Sequence, residues 1–259
     1  MKTKFKITLF LFSFITIGLL VLFFCVNDEN VHTLIKYYPD SKETETYEYI
    51  IRNGDTILQG KTFTYDKNGI KISEGNCVNN FLFGKFIRYY DNGKIEYFKY
   101  IIGKKKYAEI QWNYKNGEIE KYAFFSKYKE PIFLISYDKK GPIKYEGHTI
   151  ENIQYGKLNS KKQPNFHSNQ YFKVGDTLVH QYIVANIPNA KRSFKIENIR
   201  IDKAKVKRTI TQKPPTTIEV KEILIKKGKN TIRAVVKYEF KDKIIPAIKD
   251  TVSFNVEVN

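Results

Sequence analysis

After its first thirty positions the chain changes from one continuous apolar run to a polarity that alternates residue by residue. Residues 7–26 are uncharged and overwhelmingly apolar, with the basic prefix Met1-Lys-Thr-Lys-Phe-Lys6 before them and the acidic Asn27-Asp-Glu-Asn30 after. A run of this length reads as a transmembrane helix. Beyond it, alternation with period two predicts half-buried strands. Gly69, Gly93, Gly117 and Gly141 recur at a spacing of 24 residues, in the turns Asp66-Lys-Asn-Gly69, Asp91-Asn-Gly93, Lys115-Asn-Gly117 and Asp138-Lys-Lys-Gly141. A second set of turns falls between them at Asn53-Gly54, Asn79-Asn80, Gly103-Lys104 and near Lys129-Glu-Pro131. Two strands and two turns per period predict an antiparallel β-meander of hairpin repeats. The Asn-Gly pairs predict type I′ turns, in which both central residues take positive φ.

The period is lost after residue 156. Residues 157–168 are polar, contain Pro164, and read as a linker. Residues 169–259 hold short alternating segments, among them Thr231-Ile-Arg-Ala-Val-Val-Lys-Tyr-Glu-Phe240, separated by turn signals such as Pro188-Asn189 and Pro214-Pro215. Six or seven short strands in such a length predict an immunoglobulin-like β-sandwich. The expected organisation is mainly β: a transmembrane segment (1–30), a hairpin-repeat domain (31–156), a linker (157–168) and a sandwich (169–259).

The best-formed repeat, Gly84-Lys-Phe-Ile-Arg-Tyr-Tyr-Asp-Asn-Gly93-Lys-Ile95, has weaker copies around residues 60–69 and 114–119. It resembles the longer bacterial variant of the MORN repeat, found in proteins that carry the family label of YwqK-like antitoxins. The resemblance covers about residues 55–145. It implies a β-hairpin architecture and a binding or scaffolding surface, while the antitoxin label does not by itself imply toxin neutralisation.

If the register is kept, Phe63, Ile87 and Ile135 stack on one face, as do Tyr65, Tyr89 and Tyr137, and that apolar ladder is the expected core. Arg88 and Tyr90 of one unit, with Trp112 and Tyr114 of the next, fall on the opposite face and are expected to be neighbours across the sheet. Such a cluster suits stacking on a sugar ring or anchoring a peptide. It equally suits packing against the following domain, or a plain cross-strand aromatic ladder.

Composition narrows the function. There are 19 Tyr and 19 Phe, too much apolar surface for a disordered chain. The net charge is +18, from 45 Lys and Arg against 27 Asp and Glu. Such a surface attracts anionic headgroups or polymers, and lysines scattered along strands also protect sheet edges from pairing. Both readings apply to the basic stretch 202–208. Without an Arg-rich run, nucleic acid is not an expected partner.

Cys25 and Cys77 form no disulfide framework, and the four histidines lack metal-ligand spacing. No nucleophile elbow or phosphate loop is present. No catalytic residue, metal or cofactor is therefore expected. The charges flanking residues 7–26 place the amino terminus in the cytoplasm and the bulk of the chain beyond the inner membrane. Leu22-Phe23-Phe24-Cys25 offers no small residues for cleavage, which favours an uncleaved anchor; a lipoprotein attached through Cys25 is the alternative.

These features lead to a non-catalytic, membrane-anchored protein of the bacterial envelope that binds a protein, glycan or envelope polymer. The alternatives are an immunity-like protein that neutralises an exported toxin by direct binding, and a wall-modifying enzyme, which would need a cleft with convergent carboxylates.

Overall fold

The computed structural model describes residues 28–126, 130–158, 163–166, 171–199, 201 and 206–259, with side chains from residue 30 onward. The apolar run 7–26, Cys25 and the turn at Lys129 lie outside these residues. The described chain is built of antiparallel sheets and contains no helix. No helix among the described residues is long and apolar enough to cross a membrane. The chain divides into two compact units, and β7 (Ile95–Gly103) contributes residues to both.

The first unit contains β1 (Asp28–Tyr38), β2 (Glu43–Arg52), β3 (Asp55–Tyr65), β4 (Lys71–Val78), the two-residue β5 (Phe81–Leu82) and β6 (Gly84–Tyr89). They pair in the order β1-β2-β3-β4-β6, with β5 against β4, so every strand of the unit lies in a single sheet. With no second layer inside the unit, burial is thin. Phe63 stands opposite Glu74, which stands opposite Ile87. All three are half-buried, as are Tyr65 and Tyr89. Lys71 and Glu74 share that face in a 2.6 Å ion pair, and the Tyr89 hydroxyl donates to Glu74 at 2.8 Å. In this unit the ladder expected to be core is instead a mixed surface of rings and charges. Only the second unit buries its equivalents, Ile135 and Tyr137.

The turns also differ from expectation. Gly69, Gly93 and Gly117 adopt positive φ, but the asparagines before them do not. In each, the glycine N–H donates three residues back, to Asp66, Tyr90 or Tyr114, and the N–H of that residue bonds the carbonyl after the glycine. This is the longer hairpin loop that ends in a left-handed glycine. Asn92 and Asn116 serve through their side chains, each Oδ1 accepting the N–H two residues ahead. Positive φ at both central positions occurs in the other set of turns, at Asn53-Gly54 and Asn79-Asn80.

The second unit begins with β8 (Lys106–Asn113), β9 (Ile119–Phe125), β10 (Pro131–Asp138) and β11 (Gly141–Gly147), paired in sequence. There follow β12 (Ile150–Leu158), β13 (Pro164–Asn165), β14 (Thr177–Val184), β15 (Ala190–Asn198), β16 (Arg208–Lys213), β17 (Thr217–Ile223), β18 (Gly228–Phe240) and β19 (Ile248–Val258). These later strands make a five-stranded sheet, β13-β12-β14-β17-β16, and a three-stranded sheet, β15-β18-β19. Leu178, Tyr182 and Val220 of the first share one core with Ile196, Ile232 and Val256 of the second. The strand β12, grouped with the repeats in the sequence reading, pairs instead with β14 of this assembly. The chain turns into it at Gly147, whose φ is +90° and where a Cβ would stand 2.0 Å from the Ile132 carbonyl oxygen, so no larger residue fits.

The strands β9 and β10 of the meander join the same core, because Tyr122, Phe124, Phe133 and Ile135 project onto it. A buried polar junction fixes the contact. The Tyr122 hydroxyl donates to Glu109 Oε2 at 2.9 Å and accepts the Asn186 backbone N–H at 2.8 Å. Asn186 Nδ2 also donates to Glu109 and to the Pro215 carbonyl, and Arg192 donates to Asn186 Oδ1 at 2.7 Å. Every buried polar atom of this junction that is tied in this way escapes the cost of an unmet donor or acceptor. Tyr122→Phe removes two of these bonds while keeping the ring. It is expected to cost about 1–3 kcal/mol in urea unfolding, and a change near zero would show that water replaces the hydroxyl.

Candidate functional site

Four loops of the second unit surround a cavity of about 550 Å³: the β8–β9 turn at Gly117 and Glu118, the β10–β11 turn at 138–141, the β14–β15 loop at Asn189 and the β18–β19 loop at 240–245. Tyr137 and Phe240, both buried, contribute aromatic surface. Tyr137 is fixed by donating to the Pro188 carbonyl at 3.0 Å, and burial pushes its phenol well above the ordinary range. It is an apolar contact and a donor, never an anion, near neutral pH. A second cavity of about 500 Å³ shares Asn189, Phe240 and Lys241 with the first, and adds Lys191, Glu239 and Lys243.

The carboxylates of this cleft are engaged in holding their own turns. Asp138 Oδ1 accepts the N–H groups of Lys140 at 2.7 Å and Gly141 at 3.1 Å. Asp242 Oδ1 accepts the Ile244 N–H at 2.9 Å, and Glu118 accepts from the Asn116 amide at 2.7 Å. The hydrogen bond from Lys237, at 2.9 Å, holds the Glu239 carboxyl below its usual range. Lys139, Lys140, Lys191, Lys241 and Lys243, by contrast, stand around the two cavities without a direct ion pair among the described residues. The result is a cleft with aromatic walls and a rim of ammonium donors, chemistry that suits anionic oxygens.

The four residues singled out in the sequence divide between the units. Arg88 is an exposed residue of β6, opposite Ser73, and Tyr90 follows it, half-buried, at the start of the next turn. Arg88 borders a groove of about 430 Å³ shared with Glu43, Glu45, Tyr47 and Phe86, all of the first unit. There the Tyr47 hydroxyl donates to Glu45, and Ser73 donates to Thr64 at 2.8 Å. Cys77 closes this face as a buried free cysteine, its thiol raised by burial and so unreactive.

Trp112 and Tyr114 belong to the second unit. Trp112 is half-buried in β8 opposite Lys121, whose ammonium lies 6.0 Å from the ring centre. Tyr114 is exposed and donates to the Tyr137 carbonyl at 3.4 Å, which ties it to the wall of the lysine-rimmed cleft. Of the four, it is therefore Tyr114 that adjoins the cleft.

The stretch 202–208, read as a basic edge, ends in a residue with another duty. Arg208 opens the edge strand β16, but its guanidinium donates inward to Glu222 at 2.6 and 2.8 Å. The lysines of the cleft come from segments far apart in sequence, so no local pattern marks them as a group. One local sign existed: Asp138-Lys-Lys-Gly141 replaces the asparagine of the other repeat turns with lysine.

Among the described residues no group of three or more His, Cys, Asp or Glu side chains is arranged to hold a metal ion. Compared with known proteins, the chain matches no protein-family model and no curated sequence.

Proposed function

We propose that this chain is a non-catalytic, membrane-tethered protein of the bacterial envelope that binds an anionic envelope polymer through the lysine-rimmed cleft of its second unit. The observation that carries this reading is the asymmetry of the cleft: its acidic residues are tied into turns or to Lys237, while five lysines around it make no direct ion pair with a described residue. The tether rests on the apolar run 7–26 and its flanking charges. The reading of the repeats as MORN-like rests on their hairpin pairing and period. The order β12-β14-β17-β16 and β15-β18-β19 corresponds to the A-B-E-D and C-F-G order of an immunoglobulin-like sandwich. On that reading β12 is the first strand, and the sandwich starts before residue 169.

The joint replacement Lys139→Ala, Lys140→Ala and Lys241→Ala is expected to weaken retention on an immobilised anionic polysaccharide by about tenfold or more, since each lysine near an anionic surface contributes about 1 kcal/mol. Retention of the unaltered chain is expected to fall steeply between low and physiological salt. Lys226→Ala, Lys227→Ala and Lys229→Ala, at the opposite end of β18 from Phe240, remove the same charge and serve as the control. Equal losses in both triple variants would reduce the effect to net charge and end the assignment of the cleft.

A further inference from the structure

One face of the first unit's sheet carries a polar row that crosses four strands. Glu45 of β2 stands opposite Thr64 of β3, Thr64 opposite Ser73 of β4, and Ser73 opposite Arg88 of β6. Directly opposed residues project to the same side of a sheet, so a carboxylate, two hydroxyls and a guanidinium follow one another. Ser73 donates to Thr64 at 2.8 Å in the middle of the row. Three strand spacings of about 4.8 Å make it about 14 Å long. The neighbouring row on this face is largely apolar. Tyr47 stands opposite Thr62, and Thr62 opposite Gly75. Phe86 lies against the place where a side chain at 75 would be, since a Cβ there would stand 3.0 Å from Phe86 Cδ2.

These two rows line the groove of about 430 Å³, a volume within the range of about 300–1,000 Å³ usual for small-molecule sites. Its floor is closed: Thr62, Ser73 and Cys77 are only 7%, 6% and 4% exposed, although the unit has a single sheet and no second layer to cover them. The cover comes from side chains of the same sheet, which rise around the floor as walls. A register shift between β2 and β3 falls at Tyr47 and Tyr49, the kind of bulge that bends a strand and re-aims side chains beside a site. The concavity is therefore built into the sheet.

The chemistry of the lining selects the occupant. Glu43 and Glu45 can only accept hydrogen bonds and Arg88 can only donate them, while the hydroxyls of Tyr47, Thr64 and Ser73 do both. An anionic group would meet two carboxylates and offer them no donor. An ammonium offers no acceptor to Arg88. A sugar hydroxyl donates and accepts at once, and a pyranose ring adds an apolar C–H face of the kind that packs on Tyr47 and Phe86. An extended peptide also carries donors and acceptors, but it binds a sheet through the free edge of a strand. The strands β2, β3 and β4 under this groove are paired on both sides. The row of about 14 Å is longer than one pyranose ring, which calls for more than a single sugar unit.

We propose that this groove is a binding site for a neutral oligosaccharide, with its hydroxyls along Glu45, Thr64, Ser73 and Arg88 and a ring face against Tyr47 and Phe86. The site is separate from the lysine-rimmed cleft and does not depend on what that cleft binds.

The test uses the full chain in a detergent without a sugar headgroup, with maltohexaose, cellohexaose and chitohexaose as probes. Saturation transfer by NMR from the protein to at least one of the three is expected. Two variants probe the polar row: Arg88→Ala, at an exposed position, and Glu45→Gln, which removes the charge and keeps the shape. Each is expected to weaken binding of that sugar by about tenfold or more, the worth of a hydrogen bond to a charged group. Circular dichroism checks that the strands persist in both. Affinity is expected to stay constant between low and physiological salt, because a neutral ligand has no charge to screen. The joint variant Lys139→Ala, Lys140→Ala and Lys241→Ala is expected to bind the sugar as the unaltered chain does, which keeps a failure of the cleft reading apart from a failure of this one. Transfer to none of the three sugars overturns the proposal, whether or not an extended neutral peptide binds instead. Unchanged binding in either variant of the polar row, or a loss confined to the lysine variant, overturns it as well.

Discussion

Glu222→Ala is expected to destabilise the second unit by about 3–5 kcal/mol, the loss typical when one partner of a buried ion pair is removed. Glu222 is almost fully buried in β17 and stands directly opposite Arg208 of β16. One carboxylate oxygen accepts two bonds from the Arg208 guanidinium, at 2.6 and 2.8 Å, and the other accepts from Asn198 Nδ2 at 3.0 Å. Arg208 also donates to Asn198 and, at 3.2 Å, to the Ile196 carbonyl. The cluster ties the five-stranded sheet to β15 of the three-stranded one. Alanine at 222 would leave a guanidinium without its counter-charge in a dry site.

Replacing both partners with apolar residues, Arg208→Met with Glu222→Leu, is expected to recover most of the loss, since the desolvation cost disappears with the charges. Urea unfolding followed through Trp112, the sole tryptophan and a residue of that unit, measures both. A loss below about 1 kcal/mol for Glu222→Ala, the value of an exposed pair, would show that water reaches the site.

Acid is expected to unfold the second unit progressively from about pH 6.5 downward, through His180. Its ring is fully buried in β14, with Nδ1 2.7 Å from the Tyr182 hydroxyl and edge-on rings of Tyr182 and Phe254 around it. Burial, and secondarily the Arg208 guanidinium, push its pKa from 6.5 down to about 3. A Glu222 oxygen lies 3.9 Å from Nε2 and would favour the charged ring. That carboxylate is already satisfied by Arg208 and Asn198, and Nε2 makes no hydrogen bond. Burial therefore decides the direction.

Between pH 6.5 and 3 the unfolded chain binds a proton at this histidine and the folded chain does not. Stability then falls with pH, by about 1.4 kcal/mol per unit, and is constant above the unfolded value. Hydrogen bonds from Lys213 and Gln181, acting against a burial cost, hold the Glu219 carboxyl below 4.5, so its own loss is added only at lower pH. His180→Phe is expected to abolish the slope between about pH 6.5 and 4.5, the span between ordinary histidine and carboxyl values. An unchanged slope in that variant would assign the acid sensitivity to other groups.

Much of the architecture is legible in the sequence because it is local. The 24-residue recurrence of Gly69, Gly93 and Gly117 marks the hairpins, and alternation in Thr231–Phe240 marks a strand, since turn chemistry and pleat act over a few residues. The turn type is not legible, because Asn-Gly alone does not distinguish a two-residue loop from a longer one; the bond from the glycine N–H back to Asp66, Tyr90 or Tyr114 does. The lysine-rimmed cleft was not legible, because Lys139 and Lys241 are about a hundred residues apart in the chain and meet only when β10 and β18 share a unit.

By itself, then, the sequence determined the element type, the repeat, and the separation of an apolar run from a strand-rich remainder, all of which follow from side-chain order along a short stretch of backbone. Tertiary structure alone decided which copy of the ladder is core. Tyr89 and Tyr137 occupy equivalent places in the period, yet Tyr89 remains half-buried on a sheet that has no second layer in its unit. Tyr137 is sealed against the core shared by the later strands of its unit. Tertiary structure likewise turned Arg208 from an edge cation into the partner of the buried Glu222. Burial depends on what lies above a face, and no periodicity along the chain records that.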